Sequence, residues 1–313
     1  MIEVRDLVKR YGDHLAVNHL SFTVEKGQVY GFLGPNGAGK STTMNIMTGY
    51  IGPTEGEVLI NGHSILDEPE AAKRYIGYLP EVPPLYSDMT VLEYLGFAAE
   101  LKRIPKIDRR AEVERVIAAT HIEDMLFRLT SNLSKGYRQR VGVAQAILGS
   151  PEIIILDEPT IGLDPTQILE MRELIRNLSK EHTIILSSHI LAEVQAVCNY
   201  LMIINRGVLV ASGTPSELEA QMNSSSVDVT VRSDSLEAVE KALSSVQNVE
   251  NVKLWCGSDG EVSAELTIKR GFDVREPVFN ACVENALPLL RLNAGEASLE
   301  RVFLELLKEG ESR

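Results

Sequence analysis

The chain has 313 residues, of which 44% are hydrophobic, and it carries a formal net charge of −13. This length exceeds that of one ordinary domain and supplies ample core, so we expect two domains. The acidic balance argues against general binding of nucleic-acid backbone, which depends on clustered Lys and Arg. We expect no membrane span, because no apolar run approaches the roughly 18 residues that cross a bilayer. The charged N-terminus is also unlike a secretion signal.

The first informative segment is glycine-rich. Strands are predicted over residues 2–9 and 20–24, and an apolar strand over residues 28–33 leads into GPNGAGKS, which fills the pattern G-x-x-x-x-G-K-[ST]. A strand, such a loop and a helix that begins near Lys40 direct backbone N–H groups at one point, where phosphate binds. A surface turn that matches by chance is the alternative. The predicted phosphate-binding residues are Gly34, Pro35, Asn36, Gly37, Ala38, Gly39, Lys40, Ser41 and Thr42.

Two side chains of this motif are predicted to contact the phosphates or the metal ion. Lys40 would neutralise charge on the β- and γ-phosphates, and the Ser41 hydroxyl would ligate Mg²⁺, a hard ion that prefers oxygen. Gly37 and Gly39 would let the backbone approach the phosphates closely. ATP and Mg²⁺ are therefore the predicted ligands.

The middle of the chain is predicted to be helical. A strand over residues 57–60 ends in a turn at Asn61-Gly62, and apolar positions then recur at helical spacing between residues 90 and 124. We expect a helical subdomain over about residues 85–150. It contains the segment LSKGYRQR at residues 133–140.

A second acidic motif follows this subdomain. The apolar run at residues 153–156 ends abruptly in Asp157 and Glu158. Such a run is typical of a buried parallel strand whose C-terminal end meets a ligand crevice. Asp157 would hold the hydration shell of Mg²⁺, and Glu158 would orient or deprotonate the water that attacks the γ-phosphate. Two solvated acids at a helix cap are the alternative.

Together these motifs resemble the nucleotide-binding subunit of ATP-binding cassette (ABC) transporters, over about two thirds of the chain. In that family the order is an aromatic A-loop, P-loop (Walker A), Q-loop, LSGGQ-like signature, Walker B, D-loop and H-loop, and each has a candidate here. The resemblance implies that residues 1–215 form an α/β P-loop ATPase core, which includes the helical subdomain. It also implies that Lys40, Glu158 and His189 are catalytic.

The resemblance assigns four further positions. Tyr11 matches the aromatic residue that stacks on adenine in the family. An ordinary tyrosine at the end of a strand is the alternative interpretation. Ser134 and the Gly136 backbone would act in trans on the γ-phosphate held by the opposite subunit. Asp164, in GLDP, matches the D-loop that couples the two sites. His189, in SSHI, matches the switch histidine, although read alone it is more often structural.

Three residues depart from the family pattern. Lys135 and Tyr137 replace residues of LSGGQ; Lys135 could assist a phosphate across the dimer or be a solvated lysine without contacts. Glu81, in YLPEVPPLY, stands where the family usually carries glutamine. Its carboxylate could approach Mg²⁺ but would repel the γ-phosphate, so its metal role is a hypothesis. The alternative is a loop residue that faces a membrane subunit.

The C-terminal part has a different pattern. Strand and helix patterns after residue 223 follow the order βαββαβ, which predicts a small α+β, ferredoxin-like accessory domain over residues 223–313 with a final helix at 298–308. From Glu217 onward there are 10 basic and 18 acidic residues, a charge of −8, against −5 for the rest. We expect no anionic lipid or nucleic acid to bind there. Bracing of an ATPase dimer and ligand sensing both remain open for this domain.

The segments LSKGYRQRVGVAQA and ASLERVFLEL resemble the type 2 exporter subgroup, which serves gliding motility and the export of sodium, drugs, polysaccharides or peptides. This implies a motor ATPase at the cytoplasmic face of the membrane. It would dimerise, with itself or with a related cassette, around two ATP molecules and drive a separate integral membrane permease. A soluble ABC-type ATPase with a regulatory role is the alternative. The cargo cannot be inferred, because permease helices would select it.

Overall fold

The computed structural model describes residues 1–221, 226–257, 260–269, 272–295 and 303. The chain divides into two compact units, one that includes Met1–Pro215 and one that begins at Ser216. Each unit has its own hydrophobic core.

The first unit alternates strands and helices. Its elements are β1 (Ile2–Tyr11), β2 (His14–Val24), β3 (Val29–Leu33), α1 (Lys40–Met47), β4 (Glu55–Ile60), β5 (His63–Ser64), α2 (Pro69–Lys73), β6 (Ile76–Leu79), α3 (Val91–Leu101), α4 (Arg109–Thr120), α5 (Lys135–Ile147), β7 (Ile153–Leu156), α6 (Pro165–Leu178), β8 (Thr183–Ser188), α7 (Leu191–Val197), β9 (Tyr200–Asn205), β10 (Val208–Gly213) and α8 (Pro215–Gln221). The last of these helices continues into the second unit. In the described part of the chain, no helix has both the length and the apolar composition of a membrane span.

The central sheet has the strand order β10-β9-β3-β8-β7-β6. All its neighbouring strands are parallel except β10, which runs antiparallel to β9. Every residue of β3, β7 and β8 is buried, which explains why these strands read as nearly continuous apolar runs. Because the three strands are adjacent and parallel, their carboxyl ends meet at one edge. The segments that follow them therefore begin close together.

A second, antiparallel sheet has the order β2-β1-β4-β5. Its hairpin from β4 to β5 turns at Asn61 and Gly62, whose φ angles of 49° and 84° are those of a two-residue hairpin turn. The inner face of this sheet contributes Ile2 and Leu20 to the core that also contains Phe32 and Met44. This core supports both the phosphate-loop strand β3 and the helix α1 that follows the loop.

The helical subdomain consists of α3, α4 and α5. Thr90 and Glu93 form a reciprocal capping box at the start of α3, which satisfies backbone donors that the helix cannot satisfy itself. Ser134 caps α5 by accepting a hydrogen bond from the Tyr137 N–H at 3.4 Å. The signature segment LSKGYRQR therefore includes the start of a helix.

The second unit continues with β11 (Ser226–Arg232), α9 (Leu236–Ser244), β12 (Val249–Cys256), β13 (Glu261–Ile268), α10 (Arg275–Glu284) and β14 (Leu289–Gly295). Its sheet has the order β12-β13-β11-β14, and all three strand pairs are antiparallel. Alternate residues of β13 are buried, as expected when one face of a sheet packs on helices. The helix predicted over residues 298–308 lies outside the described residues apart from Phe303.

Candidate active site

The phosphate loop connects β3 to α1 and packs tightly against its surroundings. A Cβ on Gly34 would collide with the carbonyl oxygen of Ile204. A Cβ on Gly39 would lie 2.5 Å from the carbonyl oxygen of Ala16, and Gly39 also has a φ of +103°. Only glycine fits such positions. The loop is thus held close to two neighbouring backbone segments, those of Ile204 and Ala16.

Lys40 is the first residue of α1, and its side chain contacts this loop. Its side chain is 5% exposed, and Nζ donates to the carbonyl oxygens of Gly34 at 2.8 Å and Pro35 at 3.2 Å. The same Nζ lies 3.5 Å from Glu158 Oε1. The ammonium group is therefore shared between the loop carbonyls and the carboxylate that follows β7. Of the remaining loop residues, Asn36 and Gly37 are exposed, Ala38 is buried, and Ser41 and Thr42 are half-buried.

Asp157 is bonded from two directions. Its Oδ1 accepts a hydrogen bond from Ser41 Oγ at 3.1 Å and another from Ser187 Oγ at 2.6 Å. Burial raises the pKa of Asp157, and the hydrogen bonds from Ser187 and Ser41 act in the opposite direction. The pair of Ser41 and Asp157 presents hydroxyl and carboxylate oxygens, which are the ligands that Mg²⁺ prefers.

Glu158 is held in an uncommon backbone conformation beside His189. Its φ is +47°, a left-handed value that costs a non-glycine residue of order 1–3 kcal/mol. The Glu158 N–H donates to Ser187 Oγ at 2.8 Å, and Oε2 lies 3.0 Å from His189 Nδ1. The Glu158 side chain is 8% exposed, whereas that of His189 is 36% exposed. The Glu158 carboxylate is thus enclosed, while the His189 imidazole is partly exposed.

Six residues that are joined by these hydrogen bonds and ion pairs form what we call the active-site cluster. They are Lys40, Ser41, Asp157, Glu158, Ser187 and His189. Sequence reasoning identified five of them and missed Ser187. The signal for it was the pair of hydroxyl residues that ends the apolar run of β8 directly before His189. The glycine-lined loop and the oxygen pair at Ser41 and Asp157 together fit a Mg²⁺-bound phosphate chain.

The other predicted residues lie apart from this cluster within one chain. Tyr11, at the end of β1, is 49% exposed, and Lys9 Nζ lies 5.2 Å from its ring centroid. Ser134 and Asp164 cap α5 and α6. Gly136 is buried, and its Cα lies against the side chain of Gln167. No side-chain hydrogen bond or ion pair joins these four to the cluster anywhere in residues 1–221.

Lys135 and Glu81, which both depart from the family pattern, have different surroundings. Lys135 Nζ packs against Gly162, the first residue of GLDP, so this lysine contacts the neighbouring loop of its own chain. Glu81 is exposed, and its backbone carbonyl accepts from Gln139 Nε2 at 3.1 Å. No hydrogen bond or ion pair connects the Glu81 carboxylate with Ser41 or Asp157 in this part of the chain.

Comparison with known proteins agrees with this geometry. The family model for ABC transporters matches residues 17–161. The bacitracin transport ATP-binding protein BcrA of Bacillus licheniformis is 33% identical over 320 residues, covering 99% of this chain and 98% of that protein. The chain belongs to the ABC transporter family.

Other relatives extend this ABC transporter assignment. The linearmycin resistance ATP-binding protein LnrL of Bacillus subtilis (strain 168) is 28% identical, covering 98% of both chains. A solved structure of an ATP binding subunit of an ABC transporter superimposes with a TM-score of 0.65 at 33% identity, covering 71% of this chain and 92% of that chain. The predicted family and the predicted α/β ABC ATPase fold are thereby confirmed. The chain is an ATP-binding, ATP-hydrolysing ABC protein.

Proposed function

We propose that this ABC protein is the motor subunit of an exporter. Two ATPase subunits, identical or related, would close around two Mg²⁺-ATP and drive a separate membrane permease from the cytoplasmic face. The observation that supports this most strongly is the active-site cluster, in which Lys40, Asp157 and Glu158 meet at the carboxyl ends of β3 and β7. The relatives named for bacitracin transport and linearmycin resistance support export.

The phosphate loop would bind the triphosphate. Backbone N–H groups between Gly34 and Ser41 would donate to phosphate oxygens, and α1 would present its N-terminus to them. Lys40 Nζ, which lies between the Gly34 carbonyl and Glu158, would then donate to the phosphates as a point charge. Tyr11, half-exposed at the end of β1, would offer its ring to adenine.

Ser41 and Asp157 would hold the magnesium ion through their adjacent oxygens, which lie 3.1 Å apart. When bound, Mg²⁺ would neutralise part of the charge of the phosphates. Ser187 would keep the Asp157 carboxylate oriented, since its hydroxyl donates to Oδ1 at 2.6 Å. Glu81 would act on the metal only if the exposed loop after β6 moved inward.

Glu158 would act as the general base. Its carboxylate would accept a proton from water while the water oxygen bonds to the γ-phosphorus and the bond to ADP breaks. His189 contacts Glu158 through Nδ1, which leaves Nε2 to face a phosphate oxygen. The contact between Glu158 and His189 would align base and phosphate with each other. The enclosed position of Glu158 would exclude bulk water.

The signature and the D-loop would complete the site of a second subunit. Ser134 and Gly136 lie at the start of α5, where a helix N-terminus favours an anion. Asp164 caps α6 and would transmit the state of one site to the other. Within residues 1–221, no side-chain hydrogen bond or ion pair joins them to the active-site cluster of their own chain, which supports a role in trans.

A loop surface after β6 would receive the permease. We call Val82, Leu85 and Tyr86 the docking loop; Val82 is 77% and Tyr86 51% exposed. The Tyr86 ring is edge-on to Phe97 at 5.4 Å, so the apolar face continues onto α3. A short helix of the permease could pack its apolar face on this surface. Residues 1–215 would form the ATPase domain, and residues 223–313 an accessory domain that braces the dimer.

The test is affinity capture of the tagged chain from native membranes, with ATPase activity compared between the wild type and Glu158→Gln. A co-purifying polytopic membrane protein, together with loss of turnover in the variant, is the expected result. Active protein without a membrane partner would favour the soluble regulatory ATPase instead. Turnover that survives in Glu158→Gln would overturn the assignment of the base.

A further inference from the structure

A buried carboxylate outside the active-site cluster connects the two loops that hold Glu158 and His189. It belongs to Glu193, which lies on α7 and is 8% exposed. Its Oε2 accepts a hydrogen bond from Thr160 Oγ1 at 2.5 Å and another from Ser188 Oγ at 3.0 Å. Thr160 lies two residues after Glu158, and Ser188 directly precedes His189.

Both hydroxyl partners are themselves enclosed. Thr160 is 7% and Ser188 is 1% exposed. The Ser188 hydroxyl also accepts from the Ile190 N–H at 3.0 Å, so it bonds to the backbone on the far side of His189 while it donates to Glu193. One carboxylate oxygen thus holds the loop after β7 and the last residue of β8, directly before His189, at the same point.

The hydrogen-bond partners of the Glu193 carboxylate differ from those of a carboxylate in an ordinary ion pair. No Lys, Arg or His nitrogen lies within 4.0 Å of its carboxylate in residues 1–221. A buried carboxylate without a cationic partner is costly, and here its hydrogen bonds come from two hydroxyl groups. Removal of either hydroxyl therefore leaves the carboxylate poorly satisfied, and the two loops lose their common anchor.

A second set of contacts holds α7 from the side of α6. Arg172 donates to the Ala192 carbonyl at 3.4 Å and Arg176 to the Ala196 carbonyl at 2.6 Å. These bonds tie the helix that follows the D-loop to the helix that follows His189. The two loops, α6 and α7 therefore form one connected body around Glu193.

We propose that Glu193 is a positioning residue for ATP hydrolysis, which sets the distance between Glu158 and His189 through Thr160 and Ser188. The proposal rests on the proposed roles of Glu158 and His189. Those two side chains lie 3.0 Å apart and belong to the segments that follow two different strands, β7 and β8. Small displacements of reacting groups are costly to rate, whereas ATP affinity arises largely in the phosphate loop. Loss of the anchor should thus lower kcat and leave KM for ATP nearly unchanged.

The sharpest test compares Thr160→Val with Thr160→Ser, because valine keeps the shape and lacks the hydroxyl while serine keeps the hydroxyl. In Thr160→Val we expect kcat to fall by about 10-fold or more with KM for ATP changed by less than about twofold. Thr160→Ser should retain kcat near the wild-type value. Equal losses in both variants, or no loss in a folded Thr160→Val protein, would overturn the proposal.

A double-mutant cycle with Glu193→Ala adds an independent measurement. If both residues act through one hydrogen bond, Thr160→Val/Glu193→Ala should be no slower than the slower single variant. Additive losses in kcat would contradict a shared anchor. Glu173→Ala, which removes an exposed acid on α6, is the matched control and should leave kcat unchanged.

Glu158→Gln, assayed in parallel, separates failure of this inference from failure of the proposed function. Turnover that survives in Glu158→Gln would overturn the catalytic assignment itself. Turnover that is lost there but kept in Thr160→Val would overturn only the role of Glu193. Melting temperature and nucleotide binding of each variant confirm that the folded protein is being assayed.

Discussion

Glu158 Oε2 lies 3.0 Å from His189 Nδ1, although 31 positions separate the two residues in the chain. Their strands explain the contact: β7 and β8 are parallel neighbours in which Leu156 pairs with Leu186. Each side chain therefore leaves the sheet at the same edge, a few residues beyond its paired strand. The proposed catalytic arrangement is a direct consequence of strand order.

Replacement of the Glu158 carboxylate by an amide should remove the base without changing the shape of the site. For Glu158→Gln we expect kcat to fall by about 10²–10⁴-fold, the range for loss of general base catalysis, with ATP affinity retained. Phosphate release measures the first quantity and equilibrium nucleotide binding the second. Glu173→Gln, at an exposed position on α6, is the control. A variant that loses affinity and rate together would point to a binding role.

Loss of the Ser187 hydroxyl should change both the stability of the protein and its dependence on Mg²⁺. Its hydroxyl donates to Asp157 and accepts from the Glu158 N–H, and the residue is fully buried. Ser187→Ala should lower the free energy of unfolding by about 1–3 kcal/mol, since it leaves a buried N–H unsatisfied. It should also raise the Mg²⁺ concentration needed for half-maximal ATPase activity. Denaturant unfolding and a Mg²⁺ titration check the two effects, with exposed Ser87→Ala as control.

An unchanged Mg²⁺ requirement in Ser187→Ala would argue against the role of Ser187 in orienting Asp157. An unchanged unfolding free energy would show that water or another group satisfies the Glu158 N–H.

Two glycines of the phosphate loop should differ in their tolerance of alanine. Gly37 has a φ of +80° and open space around it, so Gly37→Ala adds only backbone strain, of order 1 kcal/mol. Gly39 has a φ of +103°, and its Cβ would lie 2.5 Å from the Ala16 carbonyl oxygen, so Gly39→Ala must displace β2 or the loop. We expect Gly39→Ala to abolish ATP binding while Gly37→Ala binds with reduced affinity. Equal affinities in the two variants would contradict this packing.

The buried carboxyl group of Asp157 should make the stability of the protein depend on pH. Burial raises the folded-state pKa of Asp157 above its unfolded value, so ionisation opposes folding. That opposition is absent below the unfolded pKa and fully present once the pH exceeds the folded pKa. At pH 7, without nucleotide, Asp157→Asn should therefore melt a few degrees above the wild type while losing Mg²⁺-dependent activity.

The difference in melting temperature between Asp157→Asn and the wild type should shrink as the pH falls toward the unfolded pKa of the carboxyl. Asp108→Asn, at an exposed helix start without a side-chain cap bond, should show no such trend. A gap that stays constant with pH would mean that the effect is not due to the Asp157 charge.

The docking loop should separate ATP turnover from transport. Val82→Asp places a charge on an apolar, 77% exposed position, and we expect it to weaken permease binding and transport while basal ATPase activity of the isolated subunit is unchanged. Ile107→Asp makes the same change at an 88% exposed position elsewhere on the surface and should affect neither. Equal transport in Val82→Asp and the wild type would exclude this surface.

Much of this site was predictable because its chemistry is local in the chain. The spacing of GPNGAGKS and the abrupt end of IIIL in Asp157 and Glu158 each place predicted site residues at the end of a strand. The buried parallel strands were predictable for a related reason, since burial on both faces demands unbroken apolar runs. These features depend on neighbours within a few residues.

The sequence by itself thus determined the residue types, the apolar strands that correspond to β3 and β7, and the family resemblance. The tertiary structure alone decided that one hydroxyl, Ser187, serves both Asp157 and Glu158, and that Lys135 packs on Gly162. It also placed the Glu81 side chain at the surface. The physical reason is that these contacts join residues far apart in sequence. They exist only because packing sets the order of the strands and brings their carboxyl ends to one edge.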